Sequence, residues 1–340
     1  MGVRFRAATP ALFVALVLAG GCSSSADEGA PDAGTSPTTP TTSPATTDAS
    51  TPTTSTGAPS LSPPIAPAVE PFAETPHLEV GEADEADDVA IHDDGYVIGV
   101  SKNADGGLEV YDLEANRIQW LELGKTNNVD LRGSTVVSSN RSEERVDILS
   151  FEDGRLSFER SFPVPYNPYG ICLYRDTVVV TANEARHVEQ YSLTGRFLRS
   201  FPDITSQSEG CVADDERGVL YVGEEERGIW RFDADPDASP EGVLIDELNE
   251  HLEEDVEGLT LAGPFLIVSS QGSSTFPVYR DDEYIASFRV PDTDGVDGAT
   301  GTDGIAAHVG LDLLVVHDAN NADGATSNYK YVRLGDVFEG

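Results

Sequence analysis

The chain has 340 residues and carries 60 Asp and Glu against 21 Lys and Arg, a formal charge of −39, with 39% apolar and 8% aromatic residues. This balance excludes a nucleic-acid binder, which needs dense Lys and Arg to hold phosphates, and it disfavours an anionic membrane surface for the same reason. Val, Ile, Leu and aromatic runs recur from about residue 75 to the end, enough for a large core, and three cysteines are too few for a disulfide-built scaffold.

Arg4 and Arg6 precede an apolar stretch, Ala11–Leu18, and then Ala19-Gly20-Gly21-Cys22. A short basic start, an apolar run of this length and small residues at the cut describe an export signal over residues 1–21. The run falls short of the ~20 residues that span a bilayer. Its end resembles the lipobox of bacterial lipoproteins. That resemblance implies lipidation of Cys22 and an exported bacterial lipoprotein at the cell surface or the extracytoplasmic face of the membrane. Residues 22–70 read as a disordered linker, because 22 of the 30 residues from Pro31 to Ser60 are Ser, Thr or Pro and cannot bury a core. In an oxidising compartment Cys172 and Cys211 are expected to form a disulfide, with two buried apolar thiols as the other reading.

From residue 80 onward short alternating strands are separated by Gly, Asp and Asn turns, with no sustained helical period. One pattern, an apolar-rich strand ending near an aromatic, recurs around Val110, Ile148, Gln190, Arg231, Val278 and Lys330, at spacings of 38, 42, 41, 47 and 52. The mean of 44 matches the ~40–50 residues of a four-stranded propeller blade. A β-sandwich of ~100 residues would leave most of the chain unexplained. The expectation is an all-β, six-bladed propeller of antiparallel blades, a domain over residues 71–340 with six units filling 75–340, expected to be a monomer. Propellers place loops around a central channel, so distant polar clusters can converge.

Acids concentrate in Asp84-Glu85-Ala86-Asp87-Asp88, Asp214-Asp215-Glu216, Glu224-Glu225-Glu226, Glu253-Glu254-Asp255-Val256-Glu257 and the stretch from Asp292 to Asp303. Carboxylates on loops suit Ca²⁺, which takes ~6–8 oxygens; zinc would need His or Cys at ligand spacing, and the six histidines are scattered. A solvated acidic surface is the plain alternative. Cys211 to Arg217 fits the Cys-x5-Arg spacing of cysteine phosphatases, but its three acids would repel a phosphate and raise the thiol pKa. Arg186-His187 lacks the continuation of histidine acid phosphatases, and neither a Gly-x-Ser-x-Gly elbow nor a Gly-x4-Gly-Lys-Ser/Thr loop occurs.

Asp84 through Ile91 and Asn127-Asn128-Val129-Asp130-Leu131-Arg132 resemble the two signature segments of β-propeller phytases. Further segments follow in the same order: Ser139-Asn140-Arg141-Ser142, Tyr169-Gly170-Ile171-Cys172, Val188-Glu189-Gln190-Tyr191, Ser208-Glu209-Gly210-Cys211, Gly223-Glu224-Glu225, Asp255 to Thr260, Ser269-Ser270-Gln271-Gly272, Asp297-Gly298 and Thr302-Asp303-Gly304. The resemblance implies a calcium-dependent phosphomonoesterase of 3-phytase type acting on phytate, myo-inositol hexakisphosphate. It implies that Asp87, Asp88, Glu209, Glu225, Asp255, Glu257, Asp297 and Asp303 supply oxygens to several calcium ions or their water. Gln271 would serve a structural calcium. Lys102, Arg141 and Tyr169 would touch substrate phosphates beside Glu184, and Glu225 and Asp297 would hold the attacking water.

The chain departs from the family pattern at Val89 and His92, read as strand packing. It also departs at Asn103 and Asn183, where phosphate-facing lysines are usual; Arg186 is a candidate replacement. These departures imply weaker phytate affinity or a taste for less phosphorylated substrates. Two other functions compete: a non-catalytic calcium-binding propeller lipoprotein for ligand binding or adhesion, and another six-bladed calcium hydrolase such as a lactonase.

Overall fold

The computed structural model describes residues 61–76, 86–183, 187–321 and 326–338. The export segment, Cys22, most of the linker, Asp84, Glu85, Glu184 and Arg186 lie outside the described residues. Among the described residues, twenty-four strands make six four-stranded antiparallel sheets.

The first strand, β1 (Pro71–Glu74), stands before all the repeats. Blade 1 follows with β2 (Ala86–His92), β3 (Tyr96–Ser101), β4 (Gly107–Tyr111) and β5 (Arg117–Glu122). Blade 2 has β6 (Thr126–Arg132), β7 (Thr135–Asn140), β8 (Arg145–Glu152) and β9 (Arg155–Pro163). In blade 3 are β10 (Pro168–Tyr174), β11 (Thr177–Ala182), β12 (Val188–Ser192) and β13 (Phe197–Ser200). Blade 4 is built from β14 (Cys211–Asp214), β15 (Val219–Glu224), β16 (Gly228–Asp233) and β17 (Val243–Glu247). Blade 5 contains β18 (Val256–Ala262), β19 (Phe265–Ser270), β20 (Phe276–Arg280) and β21 (Glu283–Phe288). Blade 6 takes β22 (Ile305–His308), β23 (Leu313–Asp318) and β24 (Asn328–Arg333), and its fourth strand is β1.

Successive first strands lie side by side around the ring. All six repeat markers fall on third strands, so the recurring sequence pattern is one structural position. The closing strand was not visible as a repeat. Pro71 pairs with Val332 and Glu74 with Lys330, which joins the two ends of the ring across 256 residues of sequence. The six units expected from residue 75 therefore omit the outer strand of the last blade.

Strand residues alternate between two faces, and in this fold both faces of a blade meet a neighbour. Ile98, Val100, Leu108 and Val110 pack against Val129, Val136 and Leu149 of blade 2. Val97 and Tyr111, on the opposite face, pack against Val315 and Tyr331 of blade 6. Comparable apolar wedges fill the four remaining seams. This double burial makes the inner strands read as continuous apolar runs. Cys172 on β10 and Cys211 on β14 are bonded, with Cα atoms 5.8 Å apart, closing a loop with a separation of 39 residues across the seam of blades 3 and 4. A loop of that size stabilises by about 4 kcal/mol in the chain-entropy treatment. The bond also removes Cys211 as a phosphatase nucleophile.

Candidate active site at the mouth of the channel

A cavity of about 200 Å³ runs among the six first strands, lined by Asp88, Val129, Ile171, Val212, Leu259 and Ala306. At the C-terminal ends of the strands Arg132 closes it. Its guanidinium donates to the carbonyl oxygens of Leu173 (3.1 Å) and Ala213 (3.2 Å) and to Asp215 (3.2 Å). The run Asp214-Asp215-Glu216 belongs to this rear end, where Asp214 is held by Arg217 and Asp215 by Arg132. It takes no part in the acid-lined mouth at the N-terminal ends.

Two local devices shape that mouth. In four blades the pairing of the first two strands slips at the start of the first strand, between Ala86 and Val89, Thr126 and Val129, Pro168 and Ile171, and Val256 and Leu259. Such bulges re-aim the side chains they contain, here Asp87-Asp88, Asn127-Asn128, Tyr169-Gly170 and Glu257-Gly258. Hydroxyls take up the freed backbone donors: Tyr329 Oη accepts from the N–H of Asp87 (3.3 Å), Ser139 Oγ from Asn128 (3.0 Å) and Thr181 Oγ1 from Gly170 (2.7 Å).

The second device is glycine. It follows the mouth residue in Tyr169-Gly170, Glu209-Gly210, Glu257-Gly258 and Asp303-Gly304. A Cβ on Gly170 would stand 1.7 Å from the carbonyl oxygen of Glu209, and one on Gly210 1.9 Å from that of Glu257. Adjacent strands thus approach more closely than any side chain permits, which draws their acids together. The repeated mouth-residue–Gly pair is a signal in the sequence that could have pointed to this convergence, and the sequence reading did not use it.

Glu209, Glu225 and Glu257 each offer a carboxylate oxygen within 4.8 Å of the others, and all three are buried. Oδ1 of Asp87 and Oε2 of Glu257 are buried without a hydrogen-bond partner, and Oδ2 of Asp87 meets only the ammonium of Lys102. Burial pushes Asp87 up to about 6, Glu225 up to about 7 and Asp88 up to about 8. Glu209 and Glu257 are held well above the ordinary carboxylate range, by burial first and then by neighbouring acids. Carboxylates crowded in this way ionise together only if positive charge joins them. Unpartnered, oxygen-only donors fit a hard divalent cation. His317 does not join them as a cation: burial pulls it down to about 4, and its Nδ1 accepts the N–H of Asp303 at 3.1 Å.

Positive side chains border the acids. Lys102 Nζ lies 3.0 Å from Asp87 and 3.6 Å from Asp303. Arg141 sits over the Tyr169 ring, 5.1 Å from its centroid, and donates to the side-chain oxygens of Asn127 (2.9 Å) and Asn167 (3.1 Å). Asn127 in turn donates to Glu209 at 2.7 Å, linking the guanidinium to the acid cluster. Burial and the nearby Glu209 raise the Tyr169 hydroxyl far above its usual pKa, so it remains a neutral donor. Asn127 and Asn167 had no assigned role in the sequence reading, nor did Gln207, whose Nε2 donates to both oxygens of Glu225 at 2.9 and 3.1 Å.

Some expected ligands lie elsewhere. Gln271 donates its amide to Asp303 and so reaches the cluster through that residue. Asp255 is half-buried and acts on Glu225 through its charge. Asp297 pairs instead with the ammonium of Lys330, beside Glu74 and Asp318. The sequence reading had expected it beside Glu225. The expectation rested on the resemblance; the chain between Asp297 and Asp303 leaves one group of charges for the other. Glu224 accepts from Thr205, Ser206 and Trp230 and is fully engaged in the fold.

Fold and site together define a six-bladed propeller enzyme whose mouth combines a cation-seeking carboxylate cluster with anion-binding side chains. The profile of the family described as Phytase matches residues 47–155 and 183–333. The 3-phytase of Bacillus subtilis (strain 168) is 32% identical over 328 residues, covering 79% of this chain and 85% of that protein. A chain in the crystal structure of a nidogen/laminin complex superposes with a TM-score of 0.51 at 16% identity, covering 66% of this chain and 85% of that one; this likeness concerns the fold alone. The chain belongs to the phytase family.

Proposed function

We propose that this enzyme is a calcium-dependent phosphomonoesterase that hydrolyses phytate to lower inositol phosphates and inorganic phosphate. The observation that carries the reading is the buried Glu209–Glu225–Glu257 group, with oxygens within 4.8 Å of one another, in a chain of formal charge −39. Such a protein should repel a polyanion unless cations first invert the local potential. Asp87, Asp88, Glu209, Glu225, Glu257 and Asp303 would hold calcium, with Asp255 at the rim. Bound there, calcium supplies the charge that admits phosphates and stabilises the phosphoryl group in transfer.

The chain's own groups do the rest. Arg141 presents a planar fork to phosphate oxygens, its orientation fixed by Asn127 and Asn167. Lys102 adds a point charge, and Tyr169 donates a neutral hydroxyl. Glu225, with both oxygens steadied by Gln207, accepts the proton of the attacking water as it approaches phosphorus in line; the ester P–O bond on the opposite side breaks, and the inositol oxygen departs as a hydroxyl with a proton taken from solvent. With Asn103 and Asn183 in place of lysines, fewer cations face the substrate, which favours less phosphorylated inositols. The supported Arg141 favours a phosphate ester over the lactone or adhesion readings, neither of which needs that fork.

Export as a lipoprotein anchored only through lipid on Cys22 belongs to the same proposal and is supported by residues 1–22; the proposed working form is a monomer. Labelling with a radioactive fatty acid should disappear in Cys22→Ser. The central test is phosphate release from phytate with calcium and with chelator. Release should require calcium; folded protein that releases none at any calcium level would sink the reading, as would Glu225→Gln retaining full activity.

A further inference from the structure

Lys330 marks the last repeat, on β24, and its side chain is wholly buried. Its ammonium donates to the carboxylates of Glu74 and Asp297 and to the carboxamide oxygen of Asn321 at 2.9 Å, and lies 3.3 Å from Asp318 Oδ2. The partners come from different segments: Glu74 from the closing strand β1, Asp297 from the passage between blades 5 and 6, Asp318 from the end of β23, and Asn321 from the turn beyond it. Asn328 donates to Glu74 at 3.1 Å and fixes its carboxylate from the other side.

Three carboxylates and a carboxamide oxygen converging from four segments form a cradle that a hard cation would fill. The resemblance to β-propeller phytases assigns Asp297 to calcium, yet the positive charge at that place is covalently part of the chain. Burial alone would favour the neutral amine, but Asp297, Glu74 and Asp318 outweigh it and hold Lys330 charged. We propose that Lys330 is a built-in counter-cation that takes the place of a metal in this cradle. It clasps β1 to blade 6, so closure of the propeller ring requires no bound calcium. The mouth cluster holds a larger excess of carboxylates, Asp87, Glu209, Glu225, Glu257 and Asp303 about the one ammonium of Lys102, and Oε2 of Glu257 there is buried without a hydrogen bond, whereas in the cradle the one such carboxylate oxygen, Asp318 Oδ2, lies 3.3 Å from the ammonium.

This proposal is independent of the catalytic reading, and its readouts are calcium stoichiometry and melting temperature rather than turnover. Calcium bound by the full chain is counted by equilibrium dialysis, and melting is followed in calcium and in EGTA. Asp297→Asn should bind as many calcium ions as the parent and melt lower by a similar amount in both media. Lys330→Met leaves three carboxylates facing one another, Asp318 buried and Glu74 and Asp297 partly so. It should melt on the order of 10 °C lower in EGTA, take up one more calcium ion than the parent, and recover most of that loss in calcium. Loss of one calcium ion by Asp297→Asn would overturn the proposal. So would a Lys330→Met protein that melts like the parent in EGTA and binds no extra calcium. If Lys330→Met fails to fold in either medium, the stoichiometry of Asp297→Asn decides alone.

Discussion

The ammonium of Lys102 stands 3.0 Å from Oδ2 of Asp87, inside the group of acids proposed to gather calcium. It is the chain's own cation at a site that also seeks others. Asp87, Glu209 and Asp303 more than offset its burial and keep it charged.

Lys102 should therefore act in two opposite directions. Lys102→Met removes a competing charge and is expected to tighten calcium binding, while weakening the hold on substrate phosphate, each by roughly tenfold. Calorimetric calcium titration and the KM for phytate read the two effects separately. Both weakening together would mean that Lys102 only supports the fold.

Asn127 joins Arg141 to Glu209 through its single carboxamide. Asn127→Ala removes one of the two carboxamides that hold Arg141 together with a donor to Glu209, and is expected to lower kcat/KM for phytate by about 10–100-fold, as losses of such supporting contacts do. Calcium affinity should fall in parallel, since the Glu209 carboxylate loses one of the donors that orient it. Steady-state kinetics together with calcium titration check this; unchanged calcium binding would confine Asn127 to the substrate side.

The acid cluster should invert the usual pH dependence of stability when metal is withheld. Asp87, Glu225 and Asp88 have folded pKa values raised by burial to about 6, 7 and 8, above those of the unfolded chain. Between pH 4 and 8 the unfolded state binds fewer protons on these groups than the folded one, so stability falls as pH rises. In EGTA the melting temperature should drop by several degrees from about pH 5 to about pH 8. Saturating calcium, which favours the ionised cluster, should abolish or reverse that slope.

The glycines of the mouth are expected to be intolerant of even a methyl group. Gly210→Ala would set a Cβ 1.9 Å from the Glu257 carbonyl oxygen, forcing the strands apart at a cost of about 1–3 kcal/mol or more and separating Glu209 from Glu257. Melting temperature and calcium-dependent phosphate release should fall together. Gly295→Ala, where nothing lies within 4 Å of the added Cβ, serves as the neutral comparison.

The number of blades, their all-β character and the chemical bias of the loops were legible in the sequence, because each follows from local periodicity and residue type. A strand repeats at a fixed interval, and each of Val110, Ile148, Gln190, Arg231, Val278 and Lys330 occupies the third strand of its blade. Glu209, Glu257 and Asp303 were singled out through the resemblance to β-propeller phytases and not by composition or spacing. Pairing of Cys172 with Cys211 stayed open until neighbouring first strands set their Cα atoms 5.8 Å apart.

Closure of the ring decided what local pattern could not. β1 reaches back across the whole domain to complete blade 6, and no repeat announces a strand whose partner is 256 residues away. Asp297 and Asp303 are close in sequence, yet one meets Lys330 and the other meets Lys102 and Gln271. Charge and spacing along the chain told which acids exist. Which acids share a site depended on where six separate strands meet, and that meeting is set by packing between blades.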